Sequence, residues 1–500
     1  MYTQANFSTH NFLFSVLATL NIIPQPAVVV EGKGVYKVRS GSLEDEVAVE
    51  ISPALKREAY VLDVTKKGIS VKAGGDAGVF YAYQTLRQMG DKAFPCAHIE
   101  DAPAYDYRAM MLDCSRHFWT VDELKSVLDL LAMHKINTFH WHLTDDQGWR
   151  IEIKKYPRLT KVGNYRPYTV SWPGWKPDGW IPDGIPVDGY YTQEQVREIV
   201  DYAADRHIQV IPEIEIPGHS TAALASYPWL GCRGEGYKVL CKWMINKEVY
   251  CPGRETTFEF LEGVLSEVMD LFPSEYIHIG GDECLKDEWK QCDSCQRRIK
   301  DEGLSDEMEL QAYTMRRVER FVRSKGKKII GWDEIADGGL SSTAVVMSRF
   351  GPDKVRKVMS NGNNVIMCPG YYCYFDYYQS PDHDKEPRAH KGANLNLDVK
   401  TAYSFNPAKE YSRKELAQVM GVECCLWTEY VPMLSHLQYM LLPRLDAFSE
   451  AAWSLATKDY DSFLERLRSM AARYDAMGIN YACHCLRLPD EQAGDQNQHR

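Results

Sequence analysis

His278-Ile-Gly-Gly-Asp282-Glu283 places two adjacent carboxylates just after a β-branched run, Tyr276-Ile-His-Ile279, and two glycines that let the backbone turn without a Cβ clash. Residues next to each other at a strand end point to opposite sides. The two carboxylates are therefore expected to take different jobs, one giving a proton and the other positioning. An Asp-Glu pair can equally begin a loop or cap a helix. What decides between these readings is whether other ionisable groups gather on the same rim. They do so in Asp113-Cys-Ser-Arg116-His117, His140-Trp-His142-Leu-Thr-Asp145-Asp146, Glu213-Ile-Glu215-Ile-Pro-Gly-His219, Trp332-Asp333-Glu334, Tyr374-Phe-Asp376 and Trp427-Thr-Glu429. Carboxylates and an arginine among tryptophans are how a protein holds a sugar, whose ring faces stack while its hydroxyls take hydrogen bonds.

Those segments need a scaffold that brings them to one place. From Tyr107 the chain alternates apolar strand-length runs with amphipathic helical stretches, and the runs are 107–114, 137–143, 208–215, 276–281, 328–333, 343–348, 364–368 and 420–427. The first helical stretch shows the period: Val121, Leu124, Val127, Leu128 and Leu131 recur along one face, with Thr120 and Asp122 placed to start it. Eight such units predict a (β/α)8 TIM barrel, whose active site lies at the C-terminal strand ends where the charged segments fall. A doubly wound open sheet is the runner-up, weakened because no GxGxxG or GxxxxGK[ST] follows a strand. Residues 1–101 read as a small non-catalytic α+β domain, with runs at Ala27–Val30, Val47–Ile51 and Tyr60–Val64 and a helix over Gly78–Gln88; residues 102–500 read as the barrel.

Composition narrows the partners. The 500 residues are 45% hydrophobic and 25% charged, in the ordinary globular range, and no run approaches the roughly 18 apolar residues of a membrane span. A net charge of −11 argues against a nucleic-acid partner, which needs a basic face. The run Phe12–Leu20 resembles the apolar part of a secretory signal without its basic start or its cleavage site, so residues 1–20 are read as a possible signal remnant and the protein as periplasmic or secreted. The 14 cysteines permit disulfides, with Cys232, Cys241 and Cys251 close enough in sequence to pair. Cys292-x-x-Cys295 is half of a zinc motif with no second CxxC or His pair after it, so no metal and no cofactor are expected.

Taken in order, Asp113-x-Ser-Arg-His117, His140-Trp-His-Leu-Thr-Asp-Asp-Gln-Gly-Trp-Arg150, Pro217-Gly-His219, His278-Ile-Gly-Gly-Asp-Glu283, Gly331-Trp-Asp-Glu334 and Leu426-Trp-Thr-Glu429 closely resemble glycoside hydrolase family 20, the β-N-acetylhexosaminidases, over about 105–455. The region after Asn21-Ile-Ile-Pro-Gln-Pro26 looks like that family's preceding domain. The resemblance implies an exo-acting retaining hydrolase of terminal β-linked GlcNAc or GalNAc. Its nucleophile is the substrate's own 2-acetamido oxygen, and the intermediate is oxazolinium-like. Glu283 would be the general acid and then base, with a raised pKa. Asp282 would hold the acetamido N–H, and Tyr374 would donate to the acetamido oxygen. Arg116, Asp376 and Glu429 would bind ring hydroxyls, Asp145 and His219 would relay to Glu283, and Trp332 and Trp427 would wall the pocket. The partner implied is an oligosaccharide or glycoconjugate bearing that sugar, and the protein is expected as a monomer or homodimer.

Three positions depart from the family's pattern. Ser348-Arg349-Phe350-Gly351 stands where Ser-Trp-Arg-Gly is usual, Glu215 where Asp is usual, and Glu423 where Gln is usual. Arg349 could stack on Trp332 or reach a carboxylate such as Glu423; the favoured alternative has it pointing away, with a loop aromatic filling the gap. Two competing functions remain open: a metal-dependent barrel hydrolase using His140 and His142, and a sugar-binding barrel without turnover, for which Arg349 is the best support.

Overall fold

The computed structural model describes residues 20–39, 42–171, 181–389, 396–454 and 456–486. The suspected signal segment, apart from Leu20, lies outside them.

The first unit is a five-stranded sheet of β1 (Val28–Lys37), β2 (Val47–Ile51), β3 (Tyr60–Thr65), β4 (Gly68–Ala73) and β5 (Ala93–Asp101), in the order β1-β5-β3-β4-β2. Only β2 and β4 pair in parallel. Strict alternation sets the inner face: Tyr60, Leu62 and Val64 of β3 and Ile69, Val71 and Ala73 of β4 are buried, while their neighbours face out. Helix α1 (Asp76–Met89) covers that face with Ala77, Tyr81, Ala82 and Leu86.

The second unit is a closed barrel of eight parallel strands: β6 (Tyr107–Asp113), β7 (Thr138–His142), β8 (Gln209–Glu213), β9 (Tyr276–His278), β10 (Lys328–Trp332), β11 (Val345–Ser348), β12 (Asn364–Met367) and β13 (Val419–Leu426), with β13 pairing back onto β6. All eight expected runs form strands, and closure excludes the open sheet. Helix α2 (Val121–Met133) starts as its sequence predicts. Thr120 Oγ1 accepts from the Glu123 N–H, and Glu123 in turn accepts from the Thr120 N–H. Among the described residues no helix is long and apolar enough to cross a membrane.

One buried carboxylate joins the two units. Asp101, the last residue of β5, accepts hydrogen bonds from Tyr60 Oη (2.7 Å), Lys135 Nζ (2.9 Å) and Trp453 Nε1 (2.9 Å). Lys135 lies 4.5 Å from the centre of the Trp453 ring, and Arg108, 4.8 Å from the same ring, pairs with Glu58 at 2.8 Å. Asp101 and the Lys135 side chain are both buried, so removing either partner leaves a charge without water. Asp101→Ala is expected to destabilise the chain by about 3–5 kcal/mol, whereas a Lys135→Met/Asp101→Leu double variant should recover much of that loss. Chemical denaturation of the two variants checks this. Equal losses in both would show that the pair does not hold the interface.

Candidate active site

Strand register builds the floor of the site. Asp113 pairs with His142, His142 with Glu213, and Glu213 with His278, so four polar residues from β6 to β9 sit at one level of the barrel. Aliphatic layers are the usual filling here. Instead Glu213, fully buried, lies 2.7 Å from His278 Nδ1 and 3.1 Å from His140 Nε2, contacts His142 Nδ1 closely, and accepts from Trp332 Nε1 at 2.9 Å. Burial alone would raise its pKa, but the facing histidines, His278 foremost, hold it well below the carboxylate range. Burial opposes protonation of His142 too. Glu213 and Asp145 overcome it and push that imidazole well above its usual value.

The network then climbs to the cavity. His142 Nε2 lies 3.1 Å from Asp145 Oδ2, Asp145 Oδ1 lies 3.1 Å from His219 Nδ1, and His219 Nε2 lies 3.5 Å from Glu283 Oε2. The geometry thus brings Asp145 and His219 into line with Glu283. Arg116 anchors the other side, with Nη2 2.7 Å from Asp145, Nη1 3.1 Å from Asp113, Nε donating to Gln147 at 2.8 Å, and its guanidinium 5.2 Å from the Trp427 ring.

A cavity of about 370 Å³ opens above this floor, lined among others by Asp282, Glu283, Tyr374, Asp376, Trp427 and Glu429. Asp282 and Glu283 do not separate onto opposite faces as a strand would require. Strand β9 ends at His278, and the chain then turns through Gly280 and Gly281 at φ of 63° and 101°. A Cβ at Gly280 would fall 1.7 Å from Glu215 Oε2, so any side chain there would have to displace the Glu215 carboxylate as well as strain the left-handed backbone. Both carboxylates then reach the same cavity, and Glu283 itself has φ of 46°.

Their surroundings differ. The Asp282 side chain is 5% exposed and that of Glu283 30%. Burial raises Asp282 to about 7 against the pull of His219 and Arg349. Glu283 lies below its usual value, contrary to the raised pKa expected of an acid. Burial pushes it up, but hydrogen bonding and charge from His219, together with Arg349 and Arg116, outweigh that. Asp282 Oδ1 and Tyr374 Oη are both buried and have no hydrogen-bond partner among the described residues.

Arg349 does reach carboxylates, though not Glu423, and it neither stacks on Trp332 nor points away. It lines the cavity, with Nη2 2.5 Å from Glu334 and Nη1 3.6 Å from Glu283 and 3.8 Å from Asp282. The three carboxylates draw the guanidinium inward, and its ring contact is Phe350 at 5.2 Å, not Trp332. Glu423 is out of its reach by role as well as place: buried in the barrel, it binds His140 Nδ1 (2.7 Å) and the Tyr107 hydroxyl (2.8 Å). Trp332 lies one layer below the cavity, fully buried, with its ring 5.9 Å from that of Trp427. Of these two tryptophans, Trp427 is the one at the surface of the site. His140 and His142, which a metal-dependent hydrolase would need at the opening, are committed to Glu423, Glu213 and Asp145 inside the barrel and do not line the cavity.

Other lining residues were not singled out from sequence: Gln147, Trp243, Met244, Ile245, Tyr377 and Tyr430. Gln147 stands inside a quoted motif and was open to discovery there. Trp243–Ile245 come from a long loop with no periodic signal. Glu215, buried beside Asp282 and Glu213, is driven well above the carboxylate range, first by burial and then by those two charges.

A (β/α)8 barrel with paired carboxylates and a histidine relay at its strand ends defines the class of acid/base glycoside hydrolases. Residues 105–456 match the catalytic domain of glycosyl hydrolase family 20, and residues 37–102 match that family's domain 2. The chain belongs to glycosyl hydrolase family 20. It is 43% identical over 466 residues to a beta-hexosaminidase of Porphyromonas gingivalis, covering 90% of this chain but 57% of that protein. A beta-hexosaminidase of Akkermansia muciniphila is 32% identical, over 90% of this chain and 89% of its own. The fold superposes with a TM-score of 0.84 on the exo beta-N-acetylglucosaminidase of Vibrio harveyi in complex with N-acetylglucosamine, at 29% identity over 96% of this chain and 81% of that one. A mutant Streptomyces plicatus beta-hexosaminidase in complex with product GlcNAc gives 0.79 at 30% identity, over 92% and 96% of the two chains.

Arg349 lowers the pKa of Asp282 and of Glu283, so Arg349→Met is expected to raise both. Carboxyl ¹³C titration of the free protein measures this directly. Unchanged titration midpoints would mean that Glu334 alone neutralises the guanidinium.

Proposed function

We propose that this chain is an exo-acting retaining β-N-acetylhexosaminidase that removes terminal, non-reducing β-linked GlcNAc or GalNAc from oligosaccharides or glycoconjugates. The observation that carries the reading is the pair of buried polar atoms without a partner among the described residues, Asp282 Oδ1 and Tyr374 Oη, in the cavity that also holds Glu283. An acetamido group supplies what each lacks: its N–H for the carboxylate and its carbonyl oxygen for the phenol. Burial keeps the Tyr374 hydroxyl protonated and able to donate, with its pKa well above the ordinary range.

In this mechanism Tyr374 and Asp282 hold the acetamido oxygen against the anomeric carbon, where it attacks as the glycosidic C–O bond breaks. Glu283 gives its proton to the departing oxygen. Asp282, charged, then offsets the positive oxazolinium-like ring, and Glu283 takes a proton from the water that opens it. The low pKa of Glu283 in the free site requires that it gain its proton as the sugar enters. Entry removes water, which favours the neutral carboxyl, and places the glycosidic oxygen beside it. Arg116, Asp376 and Glu429 face the same cavity and are suited to the ring hydroxyls, with Trp427 for the sugar face. On the strength of the apolar run Phe12–Leu20, which apart from Leu20 lies outside the described residues, we place the protein in the periplasm or outside the cell, as a monomer or homodimer.

A chromogenic panel tests the reading: β-GlcNAc and β-GalNAc glycosides should be cleaved and β-Glc, lacking the acetamido nucleophile, should not. Comparable cleavage of β-Glc would overturn substrate assistance. Glu283→Gln should cut kcat on poor leaving groups by about 10²–10⁴ and on activated aryl groups far less. An equal loss on both would remove Glu283 as the proton donor. Tyr374→Phe and Asp282→Asn should each lower kcat more than they raise KM, because their bonds strengthen as charge develops. A pure KM effect would reduce them to binding groups.

A further inference from the structure

Away from the sugar site, four cysteines converge from a loop and the start of a helix. Cys292-x-x-Cys295 opens the helix Asp293–Asp301, and it meets Cys232 and Cys251, which lie 19 residues apart in the loop that follows β8. Sγ–Sγ distances are 3.8 Å for Cys232–Cys295, 3.7 Å for Cys251–Cys292 and 3.5 Å for Cys251–Cys295, and all four sulfurs lie within 4.8 Å of one another. None is in a disulfide, whose sulfurs would be about 2.05 Å apart. A zinc ion with Zn–S bonds of about 2.3 Å sets its sulfurs about 3.8 Å apart at the corners of a tetrahedron. The measured distances are near that spacing, and they come from all four thiols at once.

The surroundings suit such an ion. Cys251, Cys292 and Cys295 are buried, with Trp289 and Val249 packed beside them. The backbone is drawn tight over the cluster. A Cβ at Gly253 would fall 2.3 Å from the carbonyl carbon of Ser294 and 2.4 Å from the amide of Cys295, so the two cysteine-bearing segments touch only because residue 253 is glycine. The Cys292–Cys295 pair sits at the positive end of its helix, which favours thiolates.

We propose that Cys232, Cys251, Cys292 and Cys295 form a structural zinc site that fixes the loop walling the sugar cavity. Four thiols lose their protons as one ion binds, and the full set of protein ligands leaves no open position for chemistry. Cys232 and Cys251 pin the two ends of a loop whose middle, Trp243-Met244-Ile245, lines the cavity. Inside that loop the Leu240 N–H donates to Asp146 O at 3.0 Å, and Gln147 Nε2 donates to Lys242 O at 2.8 Å, tying it to the strand-end segment that carries Asp145. From the other side, Trp289 Nε1 donates to Tyr250 O at 2.8 Å, and the Tyr250 N–H donates to Pro217 O at 3.0 Å, beside His219. The ion would therefore lock the segment after β8 to the segment after β9, and these carry His219 and Glu283. In the sequence alone only half of the site is legible, as Cys292-x-x-Cys295, because Cys232 and Cys251 are single cysteines whose spacing matches no CxxC.

The test uses the full chain, purified without metal-affinity resin. Elemental analysis should find one zinc per chain, and titration with a mercurial should release it as four thiols react. Cobalt exchanged into the site should show the intense visible bands of tetrahedral thiolate ligation. Cys292→Ser/Cys295→Ser should lose the zinc and melt lower by about 5 °C or more. Should that variant fail to fold, chelator-stripped native protein and Cys292→His keep the question open to measurement: the first should melt lower until zinc is returned, and the second should retain zinc. With N-acetylhexosaminide substrates the stripped protein should show a raised KM. Metal content and melting are read without turnover, so they stand whether or not the glycosidase reading does. A mass short by four hydrogens, showing two disulfides, or four free thiols that take up no zinc after reconstitution, would overturn the proposal.

Discussion

The site depends on one buried charge. Glu213 lies at the centre of a barrel that would ordinarily be filled with branched aliphatics, and it is tolerable there only because three histidines and the Trp332 N–H surround it. A carboxylate so placed orders everything above it. It fixes the ring of His142, which orients Asp145, which fixes His219, which contacts Glu283. The chain of contacts runs from barrel interior to cavity with each group's charge set by its neighbours. His142 and His219 are held protonated by carboxylates, and Asp145, against the cost of burial, is held well below its usual range by Arg116 and His219.

The two carboxylates at the reacting end are balanced more finely. Asp282 and Glu283 share one cavity because two glycines turn the chain after β9, and proximity alone would make one of them neutral. Burial selects Asp282 for the higher pKa in the free protein, while His219 and Arg349 keep Glu283 ionised. For the proposed reaction this order must reverse when a sugar arrives, since an amide N–H bonded to Asp282 stabilises its charged form and a dehydrated Glu283 favours its proton. Arg349 thus acts on both carboxylates through its charge, at a position where the family usually has a tryptophan. Its ion pair with Glu334 moderates but does not remove its field at the two carboxylates.

Rigidity is supplied from outside the barrel. Asp101 fastens the small domain to the barrel wall through Lys135 and Trp453, and Arg466 of the C-terminal helix Tyr460–Met477 donates to the carbonyl of Ile22 at 2.9 Å. Near the cavity the same need is met by the thiol cluster, which ties a long loop with little regular structure of its own to the start of the helix Asp293–Asp301. Long loops that line a site lose entropy on ordering, and a small number of buried polar or metal anchors offsets that loss more compactly than added apolar surface would.

Periodicity in the sequence by itself determined the architecture. Eight apolar runs with amphipathic helices between them leave few ways to bury both faces of each strand, and the barrel is the one that closes; the capping of α2 by Thr120 was legible in the same way. The motifs also placed Glu283, Asp282, Tyr374, Arg116, Asp145, His219, Asp376, Trp427 and Glu429 at strand ends, because position along a strand is a local property. Which of them meet, and through what, was decided only by the tertiary structure. Register put Glu213 level with His142 and His278, shear set Trp332 below the cavity and Trp427 at its surface, and the left-handed turn at Gly280 and Gly281 brought neighbouring carboxylates to one side. The direction of Arg349 and the meeting of Cys232 and Cys251 with Cys292 and Cys295 depend on charges and thiols supplied by segments far away in the chain. Local pattern encodes which face a residue occupies. Distance between residues on different strands, and the pKa values that follow from it, exist only once the barrel has closed.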